Sequence, residues 1–290
     1  MFVDGPNPTK VQFVPLHKRA NPPTPLVLVH DGGGTIFSYF ILDSLHRDVW
    51  AIHNPRYFDG GHFEGGMDEM ARHYIDLILK AGISGTILLG GWSLGGFLSL
   101  AMARMLAEDD STNLTIAGFL IIDSPYHIAR SKLTMATSEC EIVGIPDLVA
   151  KSFDNCDLML KHWDLPSWDA PACNGDEVKV RVAGRSFTIP PRGLLHKPLD
   201  ESWRLVETRQ APSKDPVVGS VAPPPAVMVR CTRPAEKKKG ENECDPCLID
   251  IFRHKTLLGW EENYPHFIKA VVDVDANHYS VFDKFDQPKV

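Results

Sequence analysis

The stretch "TILLGGWSLGGFLSL", Thr86 to Leu100, constrains the fold more than any other part of this sequence. A short apolar run stops at Gly90-Gly91, a serine stands at position 93, and a second run with few polar residues follows at once. The first run reads as a buried strand and the second as a buried helix. Gly91-Trp92-Ser93-Leu94-Gly95 has the form G-x-S-x-G, the sharp strand-to-helix turn that lifts a serine hydroxyl clear of the chain. Glycine at 91 and 95 leaves room where backbones cross, because a Cβ at either place would meet neighbouring chain. The motif by itself is weak. Its setting, strand before and helix after, gives it weight.

The neighbouring sequence repeats this alternation. "PLVLVH" is a compact apolar run ending at a glycine cluster, "DVWAIHNP" is a second, and "LTIAGFLIID" is a further one after the serine turn. Between Met67 and Lys80, the side chains of Met67, Met70, Ala71, Tyr74, Ile75 and Ile78 fall on one helical face. Strands alternating with helices predict βαβ units and an α/β class with a mostly parallel central sheet flanked by helices. Later strands are predicted at Ala226–Cys231 ("AVMVRC") and within His266–Asp275 ("HFIKAVVDVD"). Residues 124–221 are rich in Pro, Trp and charge and have weak periodicity. A structureless loop of that length is implausible in a compact domain, so the segment reads as an inserted, mainly helical lid. The expected organisation is a core over 1–123, the lid over 124–221 and the rest of the core over 222–290, together one domain.

Composition narrows the function classes. The formal net charge of −7, without a basic stripe, argues against nucleic-acid binding. Lys237–Lys239 reads as a solvated loop beside Glu236 and Glu241. No apolar run is long enough to span a bilayer, and the N-terminus lacks a signal-peptide pattern. Six scattered cysteines do not suggest a secreted disulfide framework, and Cys244-Asp-Pro-Cys247 reads as a loop with reduced thiols. The expectation is a soluble, cytoplasmic protein.

A serine hydroxyl is a poor nucleophile unless a base takes its proton and an acid orients that base. Asp123 closes the run "GFLIID", at a strand's carboxyl edge, and His278 lies in "VDVDANHYSVF" just after the final apolar run. The order Ser93, Asp123, His278 is the order used by α/β-hydrolases. Asp-Ser-Pro is also a good turn, so a turn or capping role for Asp123 is the competing reading. Twelve histidines make a late one cheap, though one directly after a last strand is less so. The loop "VHDGGGT" lets the backbone at Gly32, Gly33 and Gly34 approach a carbonyl oxygen. It lacks the spacing of a phosphate-binding loop. His30 and Asp31 read as loop-setting. His53, His62, Glu64 and His73 fit no familiar metal spacing, so no metal is expected.

With "VHDGGGT", "GGWSLGG", "LIIDSPY" and "DANHYSVF" in this order, the chain resembles thioesterase domains of polyketide synthases and nonribosomal peptide synthetases, members of the α/β-hydrolase superfamily. The resemblance covers nearly the whole chain, with the lid matching only in length and position. It implies that Ser93 is the nucleophile, His278 the general base and acid, and Asp123 its orienter. The backbone N–H of Leu94 and one from the Asp31–Gly33 loop, at Gly32 or Gly33, would hold the oxyanion. The acyl chain would come from the phosphopantetheine of an acyl or peptidyl carrier protein, or from CoA, with no resident cofactor. It would leave by hydrolysis, lactonisation or Claisen cyclisation. Trp92, Tyr126, Trp163 and Trp168 are the candidate substrate-lining residues, with lid packing as the alternative for the last two. Asp147, Asp154 and Asp157 are the fallback acids. The brief segment before the first central strand fits a stand-alone enzyme, with an excised synthase domain as the alternative. The family's C-terminal helix is represented only by "QPKV", with Pro288 near its first turn. Two other functions stay open: a carboxylesterase or lactonase with the same triad, and a catalytically silent hydrolase-fold binding protein.

Overall fold

The computed structural model describes residues 5–109, 111–182, 184–208 and 221–283. Their contacts separate into two compact units. The first is Met1–Leu120, His127–Leu133 and Gly144–Pro166; the second is Ile121–Tyr126, Thr134–Val143 and Ser167–Val290. The "QPKV" terminus lies outside the described residues.

In the first unit, β1 (Thr9–Gln12), β2 (Leu26–Val29), β3 (Val49–Ile52), β4 (Gly85–Trp92) and β5 (Leu114–Ile122) stand in the order β1-β3-β2-β4-β5, with the last two residues of β5 belonging to the second unit. β2 runs parallel to both β3 and β4, and β1 is an antiparallel edge. All four residues of β2 are buried, as expected of a parallel strand covered on both faces. After the short α1 (Phe37–Phe40) come α2 (Gly66–Lys80) and α3 (Leu94–Glu108). The six apolar residues read from the sequence as one face of α2 are its buried residues. α3 is buried along most of its length against β2 and β4, with α2 packed on it, which explains its few polar residues.

Residues 124–221 divide between the units. The expected run of short helices amounts to α4 (Asp147–Leu160), which packs beside α2 in the first unit, and brief 3-10 turns. The strands of the segment all lie in the second unit. β6 (Val178–Val182) and β7 (Arg185–Ile189) form a hairpin, followed by β8 (Gly193–Lys197) and β9 (Arg204–Glu207). Their two-residue periodicity in "VKVRV" and "RSFTI" is the signal that the charge content of the region obscured. β10 (Ala226–Cys231) and β11 (Ile268–Val274) match the predicted later strands. The order here is β10-β11-β8-β9, with β11 parallel to both neighbours and β9 antiparallel to β8. Residues 232–267, which connect β10 to β11, are a succession of turns carrying Asp250, Arg253 and the buried Trp260. Cys244 and Cys247 lie there as free thiols, one exposed and one buried. No helix of the described residues is long and apolar enough to cross a membrane.

Candidate active site

Ser93 stands between β4 and α3 with φ 54° and ψ −117°, a strained conformation for a residue with a side chain. The turn is tight because Gly91 and Gly95 lie against the carbonyl of Val29 at the end of β2. A methyl group at either glycine would collide with that oxygen. Tyr39 completes the arrangement: its hydroxyl donates to the Val29 carbonyl at 2.6 Å and accepts the Trp92 N–H at 2.9 Å. Burial raises the Tyr39 phenol far above its ordinary range, so it stays protonated as the donor this bridge needs. Leu94 opens α3, so its N–H belongs to the unpaired first turn at the helix's positive end.

Gly32 and Leu94, both singled out from the sequence, line one cavity of about 10 Å³ with His30, Asn54, Ser152 and Asn155. That is the size of a single water or oxygen-bearing group. Its outer wall is α4, whose Val149, Ser152, Phe153 and Cys156 stand directly against the Gly32–Gly34 loop. The glycines, all three buried, therefore accommodate a helix. Asn155 ties α4 down by donating to the carbonyls of Gly60 and Gly61, each at 3.1 Å. His30 sets the loop from beneath: Nδ1–H donates to the Asp31 carbonyl and Nε2 accepts from the Tyr74 hydroxyl, both at 2.5 Å. Burial, opposed only by the bond to Asp31, pushes the His30 pKa down to about 4 and keeps the ring neutral.

In the second unit the structure brings Asp123 and His278 together. Nδ1–H of His278 donates to Oδ2 of Asp123 at 2.9 Å, and both side chains are buried. This bond fixes the tautomer in which Nε2 is the proton-accepting nitrogen. Asp123, at positive φ just past β5, also receives the Cys231 N–H on Oδ1 at 2.8 Å. It is gripped by Arg253, with Nη1 on Oδ1 at 2.6 Å and Nη2 on Oδ2 at 2.9 Å. Burial works to raise the carboxyl's pKa. The hydrogen bond from His278 and the charge of Arg253 outweigh it and hold Asp123 well below the usual carboxylate range. The carboxylate's partners are thus Cys231, Arg253 and His278.

Arg253 and its partner Asp250 had no sequence signal beyond an ordinary i, i+3 acid–base pair. Tyr39 was equally silent. The proposed lining residues scatter. Trp163 donates Nε1–H to Asp68 at 3.0 Å and accepts from His127 on its carbonyl, a strut between the end of α4 and α2. Tyr126 belongs to an aromatic cluster with Trp260 and Tyr264 in the second unit, and Trp168 lies in that unit as well. Trp92 is half-buried at the elbow. Asp157 is paired with Arg130 on the first unit. His53 is buried just past the end of β3. No group of three or more His, Cys, Asp or Glu among the described residues is arranged to hold a metal.

The family model described as "Thioesterase domain" matches residues 24–162. A probable thioesterase of Curvularia clavata is 42% identical over 96% of this chain and 90% of its own length. A probable thioesterase of Purpureocillium lilacinum is 43% identical over the same shares. Among solved structures, the NocB thioesterase domain of the nocardicin cluster superposes with a TM-score of 0.50 at 15% identity, covering 90% of this chain and 87% of that one. YbtT, a type II thioesterase of a yersiniabactin synthetase pathway, gives 0.51 at 12% identity, covering 95% and 92%. Identities this low speak to the fold alone, and that fold is the α/β-hydrolase type with a mostly parallel central sheet and flanking helices.

Proposed function

Since the chain belongs to the thioesterase family, we propose that it releases an acyl chain, polyketide or peptidyl, from the phosphopantetheine thioester of a carrier protein through a Ser93 acyl-enzyme. His278 Nε2 takes the Ser93 proton as Oγ attacks the thioester carbonyl. The oxyanion that forms is met by the Leu94 N–H at the head of α3 and by an N–H of the Gly32–Gly33 loop. Collapse expels the pantetheine sulfur, which takes the proton back from His278. Water or a nucleophile within the chain then repeats the cycle in reverse and frees Ser93.

The observation that carries this reading is the buried 2.9 Å bond from His278 to Asp123, with its fixed tautomer. It is the preparation a base needs before it can activate a serine held in a strained turn. The cavity shared by Gly32 and Leu94 supports the oxyanion role. The pathway names of the two solved neighbours support a place in secondary-metabolite assembly, with a carrier protein as partner. A silent binding protein would have little use for a charged, fully buried aspartate on a histidine.

The test is a fluorophosphonate probe on wild type and Ser93→Ala, followed by intact mass after incubation with acyl-pantetheine thioesters. Labelling and acylation should both disappear in Ser93→Ala. Labelling that persists would remove the nucleophile assignment. An adduct formed from oxo-esters but never from thioesters would favour a carboxylesterase.

A further inference from the structure

Asp123 is held more firmly than orienting a histidine requires. A carboxylate at the end of a strand, bonded only to an imidazole, is free to rock about its own side-chain torsions. Here each oxygen carries two donors: Cys231 N–H and Arg253 Nη1 on one, Arg253 Nη2 and His278 Nδ1 on the other. The guanidinium is a planar fork that fits a carboxylate in one orientation. Its side chain is 8% exposed, and it is anchored in turn. Nε donates to Oδ1 of Asp250 at 2.8 Å, and Nη1 also reaches the Cys231 carbonyl at 2.9 Å. Asp250 Oδ2 accepts the Ala235 N–H at 2.7 Å.

The charges matter as much as the geometry. Arg253 alone would cancel the charge of Asp123 and leave an imidazolium at position 278 facing a neutral pair. Asp250 restores the balance: two carboxylates and one guanidinium leave one net negative charge, which an imidazolium neutralises. The other titratable groups against this cluster in the second unit are the Cys231 thiol beside Asp123, the Tyr279 ring edge-on to His278 at 5.1 Å, Cys140 behind Tyr279, and Cys247 beside Cys140 and Asp250. Burial raises all four, so they stay uncharged across the neutral range.

We propose that Arg253 and Asp250 are positioning residues for the catalytic base, acting through Asp123 to aim its carboxylate at His278 and to set the charge the imidazole faces. This rests on the reading of Asp123 and His278 given above.

The experiment measures the rate constant for fluorophosphonate labelling of the full chain against pH, for wild type, Arg253→Met, Arg253→Lys and Asp250→Asn. In parallel, the ring 1H–13C shifts of His278, assigned through His278→Gln, are followed over the same range. Arg253→Met leaves two carboxylates uncompensated, so the acidic limb and the imidazole titration should move up by about one pH unit. Asp250→Asn leaves the guanidinium uncompensated, so both should move down by a similar amount. Arg253→Lys keeps the charge but loses the fork, so the limb should stay while the plateau rate falls about tenfold. A purely structural role would not produce opposite shifts in two variants. Unmoved titrations, or shifts of the same sign, would overturn the proposal. If Arg253→Met does not fold, the downward shift in Asp250→Asn decides. If wild type never labels, the Ser93 reading fails by itself, and the imidazole titration still decides this one.

Discussion

Nδ1 of His278 and Oδ2 of Asp123 lie 2.9 Å apart although 155 positions separate them in the chain, and neither side chain meets solvent to any extent. The same carboxylate balances a buried guanidinium, so two losses follow from one substitution. Asp123→Asn is expected to slow Ser93 acylation about 10³- to 10⁴-fold, because an amide favours the wrong imidazole tautomer. It also leaves Arg253 without its main counter-charge, at a cost of about 3–5 kcal/mol in folding stability. Labelling kinetics and a urea unfolding curve measure the two effects separately.

His30 makes stability depend on pH. Its folded pKa of about 4 lies below the 6.5 of the unfolded chain, so the unfolded state binds the extra proton between those values. Stability is therefore complete above pH 6.5 and falls as the pH drops toward 4, by about 3 kcal/mol from this one residue. Asp123, whose folded pKa is depressed, adds a further loss only at still lower pH. Urea midpoints between pH 7 and 4 should show the slope, and His30→Gln should flatten it.

Tyr39 joins the Val29 carbonyl to the Trp92 N–H through one hydroxyl. Tyr39→Phe keeps the ring but leaves both backbone groups without that partner, and is expected to cost about 1–3 kcal/mol. The elbow would also be less firmly set, so fluorophosphonate labelling of Ser93 should slow while far-UV circular dichroism stays native.

At Gly95 the limit is space. The Cβ of an alanine would press into the Val29 and His30 carbonyls, which belong to backbone and cannot swing aside. Gly95→Ala is expected to destabilise the fold by at least about 2 kcal/mol and to abolish Ser93 labelling. Thermal melting and the probe read these outcomes. An alanine at Gly82, where nothing lies within 4 Å of a Cβ, meets only the strain of a φ of 74°, so it should lower the melting temperature modestly and leave labelling unchanged.

Asn155 tests the fastening of α4. Asn155→Ala removes both bonds to the Gly60 and Gly61 carbonyls, and amide hydrogen exchange across Asp147–Leu160 should accelerate about tenfold or more. Exchange across α2 should not change.

The strands β2, β4, β5, β10 and β11 and the buried face of α2 were legible because each depends on the spacing of apolar residues over one short stretch. Ser93 was legible for a similar reason, since a strained serine between strand and helix needs glycine at fixed offsets. Asp123 and His278 could be ranked only by where they fall relative to strand ends, because the bond between them is a long-range contact that no local pattern reports. β6 and β7 were missed because charged residues on their exposed faces hid a two-residue alternation, and β8 and β9 because they are short and show no alternation.

Arg253, Asp250, Tyr39 and the placement of α4 on the Gly32–Gly34 loop were not legible at all. Arg253 and Asp250 sit in a connection made of turns, where no periodicity reports burial, and their partner Asp123 is 130 residues from Arg253 in the chain. Local physics, through helix and strand periods and the steric needs of a tight turn, determined from sequence the strands and helices around the elbow and which serine stands in the strained turn. Only the tertiary structure decided which charges are buried together. That choice depends on desolvation and counter-charge across long chain separations, and one sequence does not encode it in any short pattern.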